Sequence, residues 1–183
     1  EAAAQGLVAG LNASRESVGL SPWCPGRHEA YIGVLIDDLI TLGTSEPYRM
    51  FTSRAEYRLR LRQDNADLRM TPIGRELGLV SNQRWNVFTQ KSKALKKWSA
   101  QLRGSFVSPG TKLASRIEAL TKEHVGKETT LFDLLRRPNF DVLSALEAFD
   151  HGTWGKREEN DVLALEQLQI EARYDGYIKR QDV

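Results

Sequence analysis

From Ser81 to Arg103 the chain carries Trp85, Phe88, Leu95, Trp98 and Leu102 at spacings of three, four and seven. Only an α-helix gathers such positions on one side, because residues three and four apart are neighbours on its surface. The resulting stripe has to be buried against other elements, which commits the second half of the chain to a helical architecture. Lys91, Lys93, Lys96 and Lys97 occupy much of the remaining surface. Such a face is usually solvated, and here it could also extend an RNA path.

The segments that follow read the same way. "GSFVSPG" (104–110) ends the long helix, "LASRIEALTKEH" (113–124) is a short helix, and "TLFDLLRRP" (130–138) is another. The latter stops before Pro138, since a residue preceding proline is pushed out of the helical region. "FDVLSALEAF" (140–149) follows, then the loop "HGTWGK" (151–156). The last helix runs from Glu159 to about Tyr174 on Leu163, Leu165, Leu168 and Ile170, with Gly176 a candidate interruption.

The first half differs. "EAAAQGLVAGLNAS" (1–14) is rich in helix formers and poor in polar groups on any side, so a buried helix is expected. Gly6 and Gly10 share one of its faces, where a neighbouring backbone could approach. With no initiator Met and such a helix at the very start, the packing partner is expected upstream and the chain is read as a fragment. "SPWCPGRHEA" (21–30) is a loop. "YIGVLIDDLITLG" (31–43) is an apolar run, helical if Gly43 caps it, with a strand still open. In "PIGRELGLVSNQRW" (72–85), Thr71 as cap, Pro72 at the first helical position and Gly78 as stop predict a short helix. The first 90 residues contain no lysine, whereas the later helices bear many, and a soft boundary is placed near residue 45.

Charge and cysteine usage bound the function classes. The chain has 183 residues with 26 basic and 24 acidic, for a formal charge of +2. This balance excludes a whole-surface polyanion binder while leaving room for a local patch. The lone Cys24 allows no intrachain disulfide, no apolar run is long enough to span a bilayer, and the chain reads as soluble and cytoplasmic. Cys24 and His28 lack a second pair to complete a metal site, so no metal is expected. Asp37 and Asp38 diverge on a helix by about 100°, which argues for surface or cap roles rather than one shared ion. His124 and His151 lie in loop-like contexts and read as exposed. No catalytic constellation is present.

The densest signal is "EPYRMFTSRAEYRLRLRQDNADLR" (46–69), with Arg49, Arg54, Arg58, Arg60, Arg62 and Arg69 and no lysine. As a helix it would start at Ser53, with Glu56 closing a capping box, and would align Arg54, Arg58 and Arg62 along one ridge. As a strand, Tyr57, Leu59 and Leu61 would face a core and Arg58, Arg60 and Arg62 would face out. Arg58 and Arg62 share a face in both. Guanidinium forks bind phosphate or carboxylate at two points and stack on bases, so RNA recognition with Tyr48 and Tyr57 nearby is one reading. A structural network with Glu46, Glu56, Asp64 and Asp67 is the other.

"EAAAQGLVAGLNA", "YIGVLIDDLITLGTSEPYRMFTSRAEYRLRLRQDNADLRMTPIGRELGLV" and "YDGYIKRQ" together closely resemble one family. It is the tRNA uridine 5-carboxymethylaminomethyl modification enzymes, also called glucose-inhibited division protein A. The likeness is dense over 1–85, weak over about 100–155, and returns near Ala172–Gln181. It implies a mainly α chain, with residues 1–45 the end of an FAD-binding α/β domain and 46–183 the front of a C-terminal helical domain. It further implies an FAD- and NADH-dependent, homodimeric enzyme. With a GTPase partner, such an enzyme installs an aminomethyl-type group at carbon 5 of the wobble uridine of tRNA, with methylene-folate as carbon source. Gln5 matches a flavin-contacting glutamine. Arg49, Arg54, Arg58, Arg60, Arg62 and Arg69 would hold tRNA, and Lys179 and Arg180 lie in the family's "GYIKRQ" motif. Arg173 stands where many relatives have lysine. The chain alone is expected to hold no FAD and to be inactive, because the phosphate loop is not in it. The competing expectation is a structural or dimerisation module whose arginines form interface pairs with carboxylates.

Overall fold

In the computed structural model, residues 1–122, 124–148 and 158–181 are described, apart from the side chains of Arg54, Glu147, Ala148 and Gln181. The loop expected at 151–156, with His151, lies outside them. The fold is mainly α, as the periodicity demands, and divides into two compact units, Glu1–Ile73 and Gly74–Val183.

In the first unit, α1 (Ala2–Ser17) ends on Gly19, whose φ is +74°. There the Gly19 N–H donates to Glu16 O at 3.0 Å and the Leu20 N–H to Arg15 O at 2.9 Å. This paired closure requires a left-handed residue. The chain then folds back along α1. The Asn12 amide donates to Trp23 O at 2.9 Å and accepts from the Trp23 N–H at 2.7 Å, while Arg15 Nε donates to Ser21 O at 2.7 Å. The burial expected for α1 is not found among the described residues. Only Val8 is buried, Leu7 is 57% exposed, and Gly6 and Gly10 face open space. The returning loop covers one side of the helix and nothing described covers the rest.

The apolar run forms a helix, α2 (Tyr31–Thr41). Its first turn sits directly on loop backbone: a Cβ on Gly33 would meet Gly26 O at 2.4 Å and Pro25 O at 2.5 Å. Val34 on this helix forms a small core with Ala55 and Leu61, flanked by Tyr31, Met50 and Tyr57. That core ties residues 50–61 to α2, which is why the compact units divide at Ile73/Gly74 and not near residue 45.

α3 (Ala66–Glu76) begins six residues before the expected start and carries Pro72 inside it. The start is set upstream, where Asn65 Nδ2 donates to Arg60 O at 2.9 Å and Asp67 occupies the first turn. A proline forfeits one intrahelical bond, but the rest of the ladder holds the helix together. Gly78, at φ +77°, stops it as the sequence indicated, with the Leu79 N–H donating to Gly74 O at 2.8 Å.

The second unit is built on α4 (Asn82–Gly104) and α8 (Glu159–Gln181). Ser81 Oγ caps α4 by accepting from the Arg84 N–H at 3.3 Å. Trp98 and Leu102 from the expected stripe are buried together with Ala94, and Leu95 packs at the edge. Trp85 and Phe88 are only partly buried and stack on each other at 5.3 Å between centroids. Between the long helices lie β1 (Phe106–Val107), α5 (Lys112–Thr121), β2 (Thr129–Thr130), α6 (Leu131–Leu134) and α7 (Val142–Ala148). The two short strands pair antiparallel, Phe106 opposite Thr130. α5 stops at Thr121 because Lys122 adopts a left-handed φ of +54°. α8 passes through Gly176 to Gln181, supported by the Asp175–Lys179 pair at 3.0 Å, and so outruns the expected end at Tyr174.

Asp161 joins the two long helices. Its Oδ1 accepts from the Trp98 indole at 2.6 Å and from Lys97 Nζ at 3.1 Å, and its Oδ2 accepts from the Glu158 N–H at 3.1 Å. Burial works to raise its pKa, but these donors outweigh it and hold the carboxyl below the ordinary aspartate value.

Candidate nucleic-acid interface

The arginine run is neither the helix nor the strand its sequence allows. Thr52–Arg54 is a 3₁₀ turn, and Ser53 caps nothing. Residues 56–60 are a turn, with Leu61 N–H donating to Tyr57 O at 2.9 Å and Arg60 N–H to the same oxygen at 2.8 Å. Burial of Leu61 and Ala55 against Val34 sets this local shape, overriding both periodicities. No ridge of Arg54, Arg58 and Arg62 forms, and Arg58 and Arg62 part company.

Arg62 turns inward. Its side chain is 11% exposed, with Nε on Asp64 Oδ1 at 3.0 Å, Nη2 on Asp64 Oδ2 at 3.1 Å and Nη1 on Leu59 O at 2.7 Å. Arg69 does likewise, donating to Asn65 Oδ1 at 2.9 Å, to Arg62 O at 3.2 Å and to the Glu29 carbonyl. Burial, and then the nearby Arg62 charge, pull the Arg69 guanidinium below its ordinary value. Arg60 is half-buried and engaged. The backbone of Arg54 closes the 3₁₀ turn, and its side chain lies outside the described residues. Arg49 and Arg58 are exposed, and neither side chain has a partner among the described residues.

The organising cation is one the sequence pattern did not single out. Arg27, from the Pro/Gly loop, donates Nε and Nη2 to Glu56 at 2.7 and 2.9 Å. Its Nη1 reaches both Asp37 Oδ2 at 2.8 Å and Asp38 Oδ1 at 2.6 Å. Asp37 and Asp38 therefore do converge on one partner, contrary to their expected divergence, because a guanidinium nitrogen sits between them. Tyr48 Oη donates to the other Asp38 oxygen, and Tyr57 meets the His28 ring edge-on at 6.1 Å. Arg27 holds Glu56 below the usual glutamate range, and Glu56 and then Asp38 drive the Arg27 pKa upward. The Asp37-Asp38 pair inside an apolar run was the sequence signal that a cation was required beside α2.

The site is thus a clamp with a display. Arg27, Arg62 and Arg69 satisfy carboxylates and carbonyls inside the unit and hold the 55–62 turn, which presents Arg58. Arg49 stands exposed on the segment leading into it. Exposed guanidiniums of this kind take phosphate oxygens in two-point fashion. Gln5 is exposed on α1, with no side-chain partner among the described residues. Glu1, at the start of α1, has no side-chain cap bond and instead accepts the Met50 N–H at 2.8 Å.

Residues 82–182 match the family described as tRNA modifying enzyme MnmG/GidA C-terminal helical domain. Two solved structures of GidA from Aquifex aeolicus are similar. The form II crystal shares 35% identity at a TM-score of 0.78, over 97% of this chain and 26% of that one. The form I crystal shares 34% at 0.74, over 97% and 25%. The chain therefore spans about a quarter of the length of the proteins it matches. With the matching helical domain and this identity across both units, the chain belongs to the MnmG/GidA family of tRNA modifying enzymes.

Proposed function

We infer that this chain serves an FAD- and NADH-dependent tRNA modifying enzyme. Acting with a GTPase partner as a homodimer, that enzyme adds an aminomethyl-type group at carbon 5 of the wobble uridine, drawing its carbon from methylene-folate. The observation carrying this reading is the 35% identity to GidA over 97% of the chain, spanning both units. Within it, the first unit contributes phosphate contacts through Arg49 and Arg58, while Arg62 and Arg69 maintain the turn that positions them. Gln5 is assigned to the edge of the flavin site. Unbonded N–H groups at the α1 start and an exposed amide fit a polar cofactor edge, though not a complete pocket. When bound, FAD supplies the redox chemistry. The role of these residues is to orient it.

Arg49→Gln plus Arg58→Gln is expected to weaken binding of a tRNA transcript and to lower the salt slope by about 1.4, since each lost single-strand phosphate contact removes about 0.7. Thermal stability should be unchanged. Arg62→Ala should do the reverse, lowering stability. If the double variant binds tRNA as wild type does, the arginine turn is structural only.

A further inference from the structure

Among the described long helices, α4 is the one whose outer face carries charge of a single sign. Its 23 residues hold Arg84, Lys91, Lys93, Lys96, Lys97 and Arg103 and not one carboxylate. α8, of equal length, mixes five acids with three bases. Ala94, Trp98 and Leu102 fix which side of α4 is buried. By helical geometry, Lys93, Lys96 and Arg103 then project to the opposite side, Arg103 about 15 Å along the axis from Lys93, with Lys97 at the flank beside α8. Lys93 and Lys96 are exposed with no side-chain partner among the described residues. Lys97 keeps half its side chain exposed while touching Asp161, and Arg103 is exposed with its guanidinium over the Phe132 ring at 3.5 Å.

Lys93 repels Lys96 at i+3 and Lys97 at i+4, which weakens the helix. A helix shaped for stability alone would interleave glutamates here. Asp161 offsets Lys97, whereas the Lys93–Lys96 repulsion has no acid beside it among the described residues and is relieved when an anion lies along the face. Lysines are point charges without a two-point fork, which suits sequence-independent contact with a phosphodiester backbone.

We propose that this face of α4, centred on Lys93 and Lys96, binds the RNA phosphate backbone as a second contact set, separate from Arg49 and Arg58. The proposal rests on the tRNA reading above. Its test is binding of a tRNA transcript to the whole chain across a salt series, comparing wild type, Lys93→Gln plus Lys96→Gln, Lys93→Arg plus Lys96→Arg, and Arg49→Gln plus Arg58→Gln. The glutamine pair on α4 should reduce the salt slope by about 1.4 and the arginine pair should restore it. Circular dichroism should be unchanged, because glutamine and lysine have similar helix propensity. An unchanged slope in the α4 glutamine pair, with weakened binding in the Arg49/Arg58 pair, overturns this proposal and leaves the arginine reading standing. The opposite pattern supports α4 and removes the arginine turn. A wild-type chain that ignores tRNA at low salt overturns both, and equal affinity for poly-glutamate overturns the RNA assignment.

Discussion

Removing Arg27 tests the clamp most directly. Arg27→Ala deletes two bonds to Glu56 and one each to Asp37 and Asp38. Glu56 and Asp37 are 44% and 45% exposed, so those ends contribute at the surface scale of about 0.2–1 kcal/mol each. Asp38 is 11% exposed, and its charged bond belongs near about 1.5–3 kcal/mol. The total is about 2–5 kcal/mol, localised to the first unit. Because the chain has two units, global unfolding is a poor reporter, and hydrogen exchange resolved by peptide is the better assay. Amides of 55–62 should exchange roughly 30-fold faster or more, while those of α4 and α8 are unaffected. Arg27→Lys should recover part of the loss, since an ammonium reaches one carboxylate without the fork. The pH dependence has a definite sign. Glu56 is depressed in the folded state, so its contribution is present above the ordinary glutamate value and is lost as pH falls through the lower folded value. The gap between wild type and Arg27→Ala should hold from pH 7 to about pH 5 and shrink below about 4.3, the usual glutamate value. Equal exchange of 55–62 in both proteins at neutral pH would refute the clamp.

Two further substitutions probe the frame. Asp161→Ala should cost about 2–4 kcal/mol in the second unit, combining an orphaned Trp98 indole with a lost helix-start bond. Asp161→Asn should cost less, and chemical denaturation should show both gaps narrowing only below about pH 4, because the folded carboxyl is depressed. Gly33→Ala should destabilise the first unit by about 1–3 kcal/mol, because the added methyl meets two backbone carbonyls that cannot swing aside. Faster exchange across 25–35 would register it.

The long helices were legible because their stripes are local: Trp98 and Leu102 declare a face without reference to anything distant. Gly78 as a stop is equally local, since a left-handed position selects glycine. The arginine turn was illegible for the opposite reason. Two regular periodicities fitted 53–62, and the deciding facts were Leu61 against Val34 and Glu56 against Arg27, partners far away in sequence. Pro72 misled because its usual place is a helix start, whereas here the upstream turn is secured by Asn65. The two-residue strands carry too few side chains to show alternation. At the site, composition drew attention to 46–69, but it could not separate Arg58 from Arg62, which differ only in what lies beside them after folding.

Asp161 has a consequence for how the second unit comes together. The same carboxylate completes the first turn of α8 and accepts the indole N–H of a tryptophan 63 residues earlier. The start of one helix is therefore not finished until the middle of the other has arrived, and neither half of that arrangement gains its full bonding alone. The two ends of the domain are wired as a conjunction, so partial assembly is penalised and the unit should form, and come apart, as a single cooperative block.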